Sequence, residues 1–290
     1  MSTPALSSFR GLSPAKADNH FDLLFFGDIV GKPGREAVYH FIENRLATKP
    51  DMMIANVENC THGNGFCEKH YQELAARGFH AFTGGNHIYD RKDSLQFMRD
   101  SAEMLIRPAN ISGKKPPGLG ARVIQVGNRK VGVLNVLGQA FMANYNSPWD
   151  AIDELLPDLL RETPIIFVDI HAEATAEKAA IARYVAEMGA SAVVGTHTHV
   201  QTNDARLLHD RTGFLTDAGM NGVYESVIGM DSIAAIKRLT EPGHTKMEVA
   251  VSHTVQINAV RFRIEVDSGE CIGLENVYDV FELPESVKVD

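Results

Sequence analysis

The sequence predicts an α/β fold, one large domain of two packed sheets with helices outside. Two observations predict it. Short, nearly continuous apolar runs alternate with amphipathic stretches through most of the chain, the pattern of strands buried on both faces with helices between them. The last third then reads as strand-rich, so antiparallel pairing is added to the βα alternation and two sheets are needed to hold it.

The elements follow in order. Residues 1–20, rich in Ser, Pro and Ala, contain no long apolar stretch and read as a loose extension rather than a secretory signal; a single domain is expected over 21–290. Residues 21–26 form the first apolar run, which ends at Gly27-Asp28. Pro33 sits where a helix can start, and Ala37, Val38, Phe41, Ile42 and Leu46 follow at helical spacing. The run 51–57 ends at Glu58-Asn59, a helix is expected over about 67–77, and the strand around 80–83 ends in Gly84-Gly85-Asn86-His87. Residues 121–126 and 130–137 flank Gly127-Asn128 as a hairpin. A helix over 149–160 is expected to be interrupted near Pro157. The strand 164–168 runs into Asp169-Ile170-His171. Ala180, Ile181, Tyr184, Val185 and Met188 mark the next helix, and 191–194 runs into Gly195-Thr196-His197-Thr198-His199. Residues 254–266 close the pattern as a strand.

Composition narrows the function. The 290-residue chain has 28 Lys+Arg against 37 Asp+Glu, a net charge of −9. Such an acidic surface excludes general binding to nucleic acid or to an anionic membrane. If the chain handles phosphate, something other than surface Lys and Arg must supply local positive charge. No apolar run approaches the roughly 20 residues of a membrane helix. Cys60, Cys67 and Cys271 form no C-x-x-C pair, so reduced thiols in a cytoplasmic protein are expected.

Five expected strands end in metal-type ligands: Asp28, Glu58-Asn59, Asn86-His87, His171, and His197 with His199. In α/β sheets ligands gather beyond the carboxyl ends of the strands, where the backbone is rigid enough to place donors accurately. Each piece alone has a plainer reading. Asp28 fits a helix cap, Glu58-Asn59 a polar loop, Asn86-His87 a turn, and His171 a hydrogen-bonded core histidine. His197-Thr198-His199 is a stronger signal, because alternate residues of an extended chain point the same way. Together, two carboxylates, at least one Asn amide and three imidazoles exceed the needs of one tetrahedral ion. They suit two ions about 3.5–4 Å apart that share a carboxylate and clamp a displacement at phosphorus. Two divalent ions outweigh Asp28, Glu58 and a shared hydroxide, which leaves a net positive centre inside an acidic protein. Imidazole mixed with oxygen donors favours Mn, Fe or Zn over Mg or Ca.

The ordered set Gly27-Asp28, Glu58-Asn59, Gly85-Asn86-His87, His171 and Gly195-Thr196-His197-Thr198-His199 resembles the calcineurin-like metallophosphoesterase superfamily. The finer pattern is Gly-Asp-Ile-Val-Gly-Lys-Pro-Gly-Arg, Val-Glu-Asn, Gly-Gly-Asn-His and His-Ala-Glu-Ala-Thr-Ala-Glu-Lys. It is similar to the superfamily's bacterial YmdB-like branch over about residues 21 to 285. The usual Asp-x-His opening is Asp28-Ile29-Val30 here, and the usual Gly-Asp-x-x-Asp block is replaced by Glu58-Asn59; both departures are those of the branch. The resemblance implies a four-layer α/β/β/α sandwich of two mixed sheets. It implies that Asp28, Glu58, Asn59 and His199 hold one ion, and that Glu58, Asn86, His171 and His197 hold the other. His87 would be the proton donor to the leaving oxygen. The implied reaction is hydrolysis of small cyclic nucleotides, 2′,3′-cyclic with 3′,5′-cyclic as a second candidate, by a homo-oligomer, dimer or tetramer.

Other residues stay open. Asp90 reads as a surface turn, or as the group that orients His87. Arg35 and Lys178 either touch phosphate or lie on solvated helix faces. Cys60 reads as loop packing. Residues 216–222 form a glycine-rich loop that walls a cleft or only turns the chain. The loops 111–120 and 139–149 carry no code that names a substrate. A metal amidohydrolase also uses H-x-H, but there the pair comes early in the chain, and here it comes after Asp28. A phosphomonoesterase and a non-enzymatic metal- or nucleotide-sensing regulator are the remaining alternatives.

Overall fold

The structure is a computed structural model that describes residues 19–100, 103–243 and 245–290. The expected loose extension lies outside the described residues except for its last two.

The first half alternates as the sequence predicts. Strand β1 (His20–Phe26) and the two-residue β2 (Asp28–Ile29) lead into helix α1 (Gly31–Asn44). Strand β3 (Met52–Asn56), helix α2 (Glu68–Ala75), strand β4 (Ala81–Thr83), helix α3 (Lys92–Asp100) and the short β5 (Leu105–Ile106) follow. The hairpin β6 (Ala121–Val126) and β7 (Arg129–Leu137) precedes helix α4 (Pro148–Glu162), strand β8 (Ile166–His171), helix α5 (Thr175–Met188) and strand β9 (Ala192–Thr196). Short strands β10 (Arg206–Leu208), β11 (Thr212–Leu215) and β12 (Met220–Val223) and helix α6 (Ser232–Thr240) come next. The long pair β13 (Thr254–Glu265) and β14 (Cys271–Glu282) ends the fold.

One sheet runs β2-β12-β13-β1-β3-β4-β5, with β14 paired to β13; the other runs β10-β11-β9-β8-β7-β6. Strands β1, β3, β4 and β5 are parallel in the first sheet, and β7, β8, β9 and β11 in the second. Side chains alternate across β1. Leu23 and Phe25 enter the core between the sheets with Phe167, Val194 and Val260, where the rings of Phe25 and Phe167 lie 5.0 Å apart. Leu24 and Phe26 pack on the opposite face with Ala37, Val38 and Phe41 of α1. A strand covered on both faces must be apolar at every position, which is why 21–26 reads as a continuous run. A third core joins the outer face of the second sheet to Ile152, Leu156 and Leu159 of α4 and to Ile181 and Val185 of α5. The layers are therefore α/β/β/α, as the resemblance implies. Among the described residues no helix is long and apolar enough to cross a membrane.

Pro157 does not interrupt α4, which runs unbroken through it. Leu156 and Leu159 on either side are buried, whereas Asp153, four residues back, is exposed. Its carbonyl, deprived of a helical donor, can bond water, so burial of the apolar stripe outweighs the missing bond. The glycine-rich segment 216–222 is only partly a loop. Its second half enters β12, which pairs with β2 and β13.

Candidate metal centre

Parallel β1, β3 and β4 of one sheet and β8 and β9 of the other release their carboxyl ends toward one place. The structure brings there Asp28, Glu58, Asn59, Asn86, His171, His197 and His199, all the expected ligands. The ligand atoms of Glu58, His171 and His197 lie within 4.8 Å of one another, as do those of Asp28, Glu58 and His199. Glu58 belongs to both groups.

Hydrogen bonds fix which atom of each donor faces the centre. Thr196 Oγ1 donates to Asp169 Oδ1 at 2.7 Å and accepts from His171 Nδ1 at 2.8 Å, which leaves the His171 Nε2 lone pair inward. That nitrogen lies 2.9 Å from Glu58 Oε1 and 3.2 Å from Asn86 Oδ1. The backbone carbonyl of Ile228 accepts from His199 Nδ1 at 2.8 Å, so His199 turns its Nε2 inward, 3.1 Å from Asn59 Oδ1. The Asn59 amide nitrogen donates to Gly63 O at 2.9 Å, and its oxygen is left for the site. His197 directs Nδ1 at His171 Nε2, 3.1 Å away, and its Nε2 toward Glu173. Such orienting bonds are what metal-ligating histidines use.

The residues present fit metal ions. Asp28 Oδ1 is buried and has no hydrogen-bond partner among the described residues, a costly state for a carboxylate unless a cation meets it. Two inward ring nitrogens at 3.1 Å likewise call for a proton or a cation. Without ions the charges compete. Burial raises the Asp28 carboxyl to about 6 against the pull of His199 and His171. Burial acts on Glu58 too, but the charge and hydrogen bond of His171 and the neighbouring His87 outweigh it and hold Glu58 at about 2. Burial works against the His171 imidazolium, yet Glu58, Asp28 and Asp169 raise it to about 9. Burial and adjacent His171 depress His197 to about 4.

The H-x-H pair converges by a different route from the one its spacing implies. His197 and His199 have φ of 97° and 65°, so the segment is kinked rather than extended, and the two imidazoles serve different clusters. Left-handed backbone at residues other than Gly costs about 1–3 kcal/mol each and must be held. The Asp28 carboxylate accepts the His197 N–H at 3.2 Å. Asp217 accepts from the Thr198 hydroxyl at 2.7 Å and is itself paired with Lys178 Nζ at 2.6 Å. Lys178 is therefore neither solvated nor free for phosphate: it is buried behind the loop. Arg35 is also buried and donates to the Cys60 carbonyl, which pins the loop after Glu58-Asn59. Cys60 packs in the core as expected.

His87 stands apart from the donors. Its backbone N–H donates to Glu58 Oε2 at 3.1 Å, while its ring, 41% exposed, bonds Asp90 Oδ2 through Nδ1 at 2.7 Å. Of the two readings of Asp90, the orienting one matches this geometry.

Sequence reasoning missed Asp169, Thr196 and Asp217. Asp169 is fully buried and accepts from Asn56 Nδ2 at 3.0 Å as well as from Thr196. A signal was there, since Asp169 lies two residues before His171 on a strand and so shares its face. Gly85 is the other hidden requirement. A Cβ there would lie 2.0 Å from Glu58 Oε2 and 2.4 Å from His171 Nε2. Gly85→Ala is expected to lose most bound metal with a melting temperature close to native, checked by elemental analysis and calorimetry. Native metal content would contradict the cradle.

The loop beyond Asn59 also sets an acid limit on stability. His70 Nδ1 bonds Thr61 Oγ1 at 2.8 Å, and burial, then Arg35, depress its pKa to about 3. A buried neutral imidazole contributes stability above the unfolded pKa of about 6.5 that is lost as pH falls toward the folded value. Thermal melts between pH 7 and 4 are expected to fall less steeply in His70→Leu than in the native chain. Equal slopes would remove His70 from the account.

A family model described as YmdB-like protein matches residues 24–277. The chain is 38% identical over 256 residues to the 2′,3′-cyclic-nucleotide 2′-phosphodiesterase of Bacillus subtilis strain 168, covering 88% of this chain and 96% of that relative. A crystal structure of a phosphatase from Mycoplasma pneumoniae superposes with a TM-score of 0.82 at 31% identity, covering 92% of this chain and 95% of that one. Another, of a Thermus thermophilus protein, gives a TM-score of 0.80 at 31% identity over 89% and 99% of the two chains.

Proposed function

The chain belongs to the YmdB-like family, and from that premise we propose that it is a metal-dependent phosphoric diester hydrolase acting on 2′,3′-cyclic nucleotides. The observation that carries the reading is the sharing of Glu58 between two ligand clusters. Asp28, Glu58, Asn59 and His199 hold one divalent transition-metal ion. Glu58, Asn86, His171 and His197 hold the second, with iron or manganese as the expected metals and zinc as the alternative. When bound, such ions would act as Lewis acids on phosphoryl oxygens and would lower the pKa of a bound water.

The chain's own residues do the rest. The Thr196–Asp169 relay and the Ile228 carbonyl hold His171 and His199 in the tautomers that face the centre. The Asp90 carboxylate occupies His87 Nδ1, so Nε2 is the end that delivers a proton to the departing ribose oxygen. Because the His87 amide is bonded to Glu58, the proton donor and the carboxylate common to both clusters are placed as one unit, which would fix the donor relative to a substrate held at the centre.

The test is a comparison of turnover on 2′,3′-cyclic, 3′,5′-cyclic and linear diesters and on monoesters. The reading expects 2′,3′-cyclic substrates to lead. Hydrolysis of monoesters without diesters would replace it with a phosphomonoesterase; the Mycoplasma neighbour is described as a phosphatase. The same family reading assigns a homo-oligomer, dimer or tetramer. Ile233, Ile236 and Leu239 on α6, which are 79%, 57% and 84% exposed, support it, and a monomer in light scattering would remove it.

A further inference from the structure

A cavity of about 600 Å³ opens beside His199, and among its thirteen lining residues there is no Asp, Glu, Lys or Arg. In a chain with 22% charged residues, such a lining suits a neutral group and not a phosphate. Tyr224 and Tyr278 line it, and carboxamides line it with them, among them Gln201, Gln256, Asn258 and Asn276.

These carboxamides are already half committed. Asn276 Nδ2 donates to Thr202 O at 2.9 Å, and Gln201 Nε2 donates to the carbonyls of Ala218 and Ala259 at 3.3 and 3.0 Å. The amide nitrogens of Gln256 and Asn258 both donate to Met220 O. Backbone carbonyls only accept, so these partners fix which end of each amide is nitrogen. The amide oxygens accept nothing among the described residues; Gln201 and Gln256 are half-buried with theirs uncommitted beside the cavity, whereas Asn276 Oδ1 is sealed from solvent. The lining thus combines uncommitted hydrogen-bond acceptors with two aromatic rings, a combination that asks for a flat ligand bearing donors.

We propose that this cavity is the nucleobase subsite and that its amide oxygens select bases carrying an exocyclic amine, cytosine or adenine, over uracil. The proposal rests on the phosphodiesterase reading above. His199 joins the two places, since it lines the cavity and its Nε2 lies 3.1 Å from Asn59 Oδ1 in the centre. In a 2′,3′-cyclic nucleotide the base and the phosphorus are carried by one furanose ring, so their subsites must adjoin in this way. Uracil sets a carbonyl where cytosine sets an NH2, and in this lining that carbonyl would meet other acceptors.

The test compares kcat/KM for cytidine and uridine 2′,3′-cyclic phosphates, with binding of the two 3′-monophosphates to the metal-loaded protein measured by calorimetry. The cytidine member of each pair is expected to be favoured about 10- to 100-fold. In Gln201→Leu and in Gln256→Leu that preference is expected to fall toward one. Equal handling of both bases by the native protein, a preference for uridine, or a preference unaltered in both variants would overturn the proposal. Bis(p-nitrophenyl) phosphate, which has no base, separates the two readings. If it is not hydrolysed the phosphodiesterase reading fails, whereas hydrolysis without base preference removes only the subsite.

Discussion

Replacing His87 with glutamine is expected to lower turnover of a 2′,3′-cyclic nucleotide by about 10²- to 10⁴-fold, the usual contribution of a positioned general acid, while bound metal stays near the native amount. The two effects separate because the ring of His87 and its backbone do different work. The backbone N–H bonds Glu58, and a side-chain replacement keeps it. The ring bonds only Asp90 among the described partners and is 41% exposed, so removing it leaves no ligand cluster incomplete. Glutamine keeps a polar group in the space but holds no transferable proton near neutral pH. The deficit is also expected to depend on the leaving group. A ribose alkoxide needs a proton, whereas p-nitrophenolate leaves readily without one, so the loss on bis(p-nitrophenyl) phosphate should be smaller. A uniform loss across leaving groups would contradict proton donation. Loss of metal would make His87 a ligand instead.

Glu58→Gln is expected to be more severe. Among the described residues Glu58 is the one shared by both donor groups, so its loss is expected to weaken both proposed ion sites. Turnover is expected to fall by more than about 10³-fold, beyond what loss of one transition-state donor costs, with both ions depleted. His197→Ala should instead remove one ion and leave the Asp28–Glu58–His199 group intact. Glutamine nearly matches glutamate in shape, so the fold is expected to survive, and circular dichroism checks it. A Glu58→Gln protein that keeps two ions would place the bridge elsewhere.

Much of this was legible in the sequence because two physical signals coincide. Strands buried on both faces must be apolar throughout, so 21–26, 51–57 and 164–168 announce themselves, and in this fold their carboxyl ends converge. The residues at those ends therefore stood out as a set, and the fold brings them together. The two-residue strands β2 and β5 were not legible, because pairing with β12 and with β4 makes them strands and no local pattern does. The kink at His197 and His199 was invisible for a similar reason. It is imposed by Asp28 and by the Lys178–Asp217 pair, and Asp28 lies about 170 residues away in sequence although it is a neighbour in space. Lys178 and Arg35 were read as phosphate contacts or as solvated helix faces, and not as buried groups, because Lys and Arg rarely bury unless paired, and their partners, Asp217 and the Cys60 carbonyl, could not be named from spacing. Pro157 broke a local rule that tertiary burial of Leu156 and Leu159 overrode.

Elemental analysis of the purified native protein, paired with its diesterase rate before and after chelation, tests most directly the proposal that two metal ions meet at Glu58. Two transition-metal ions per chain are expected, with activity lost on chelation and restored by iron or manganese. Full diesterase activity from protein stripped of metal, or saturation at a single ion per chain, would contradict it.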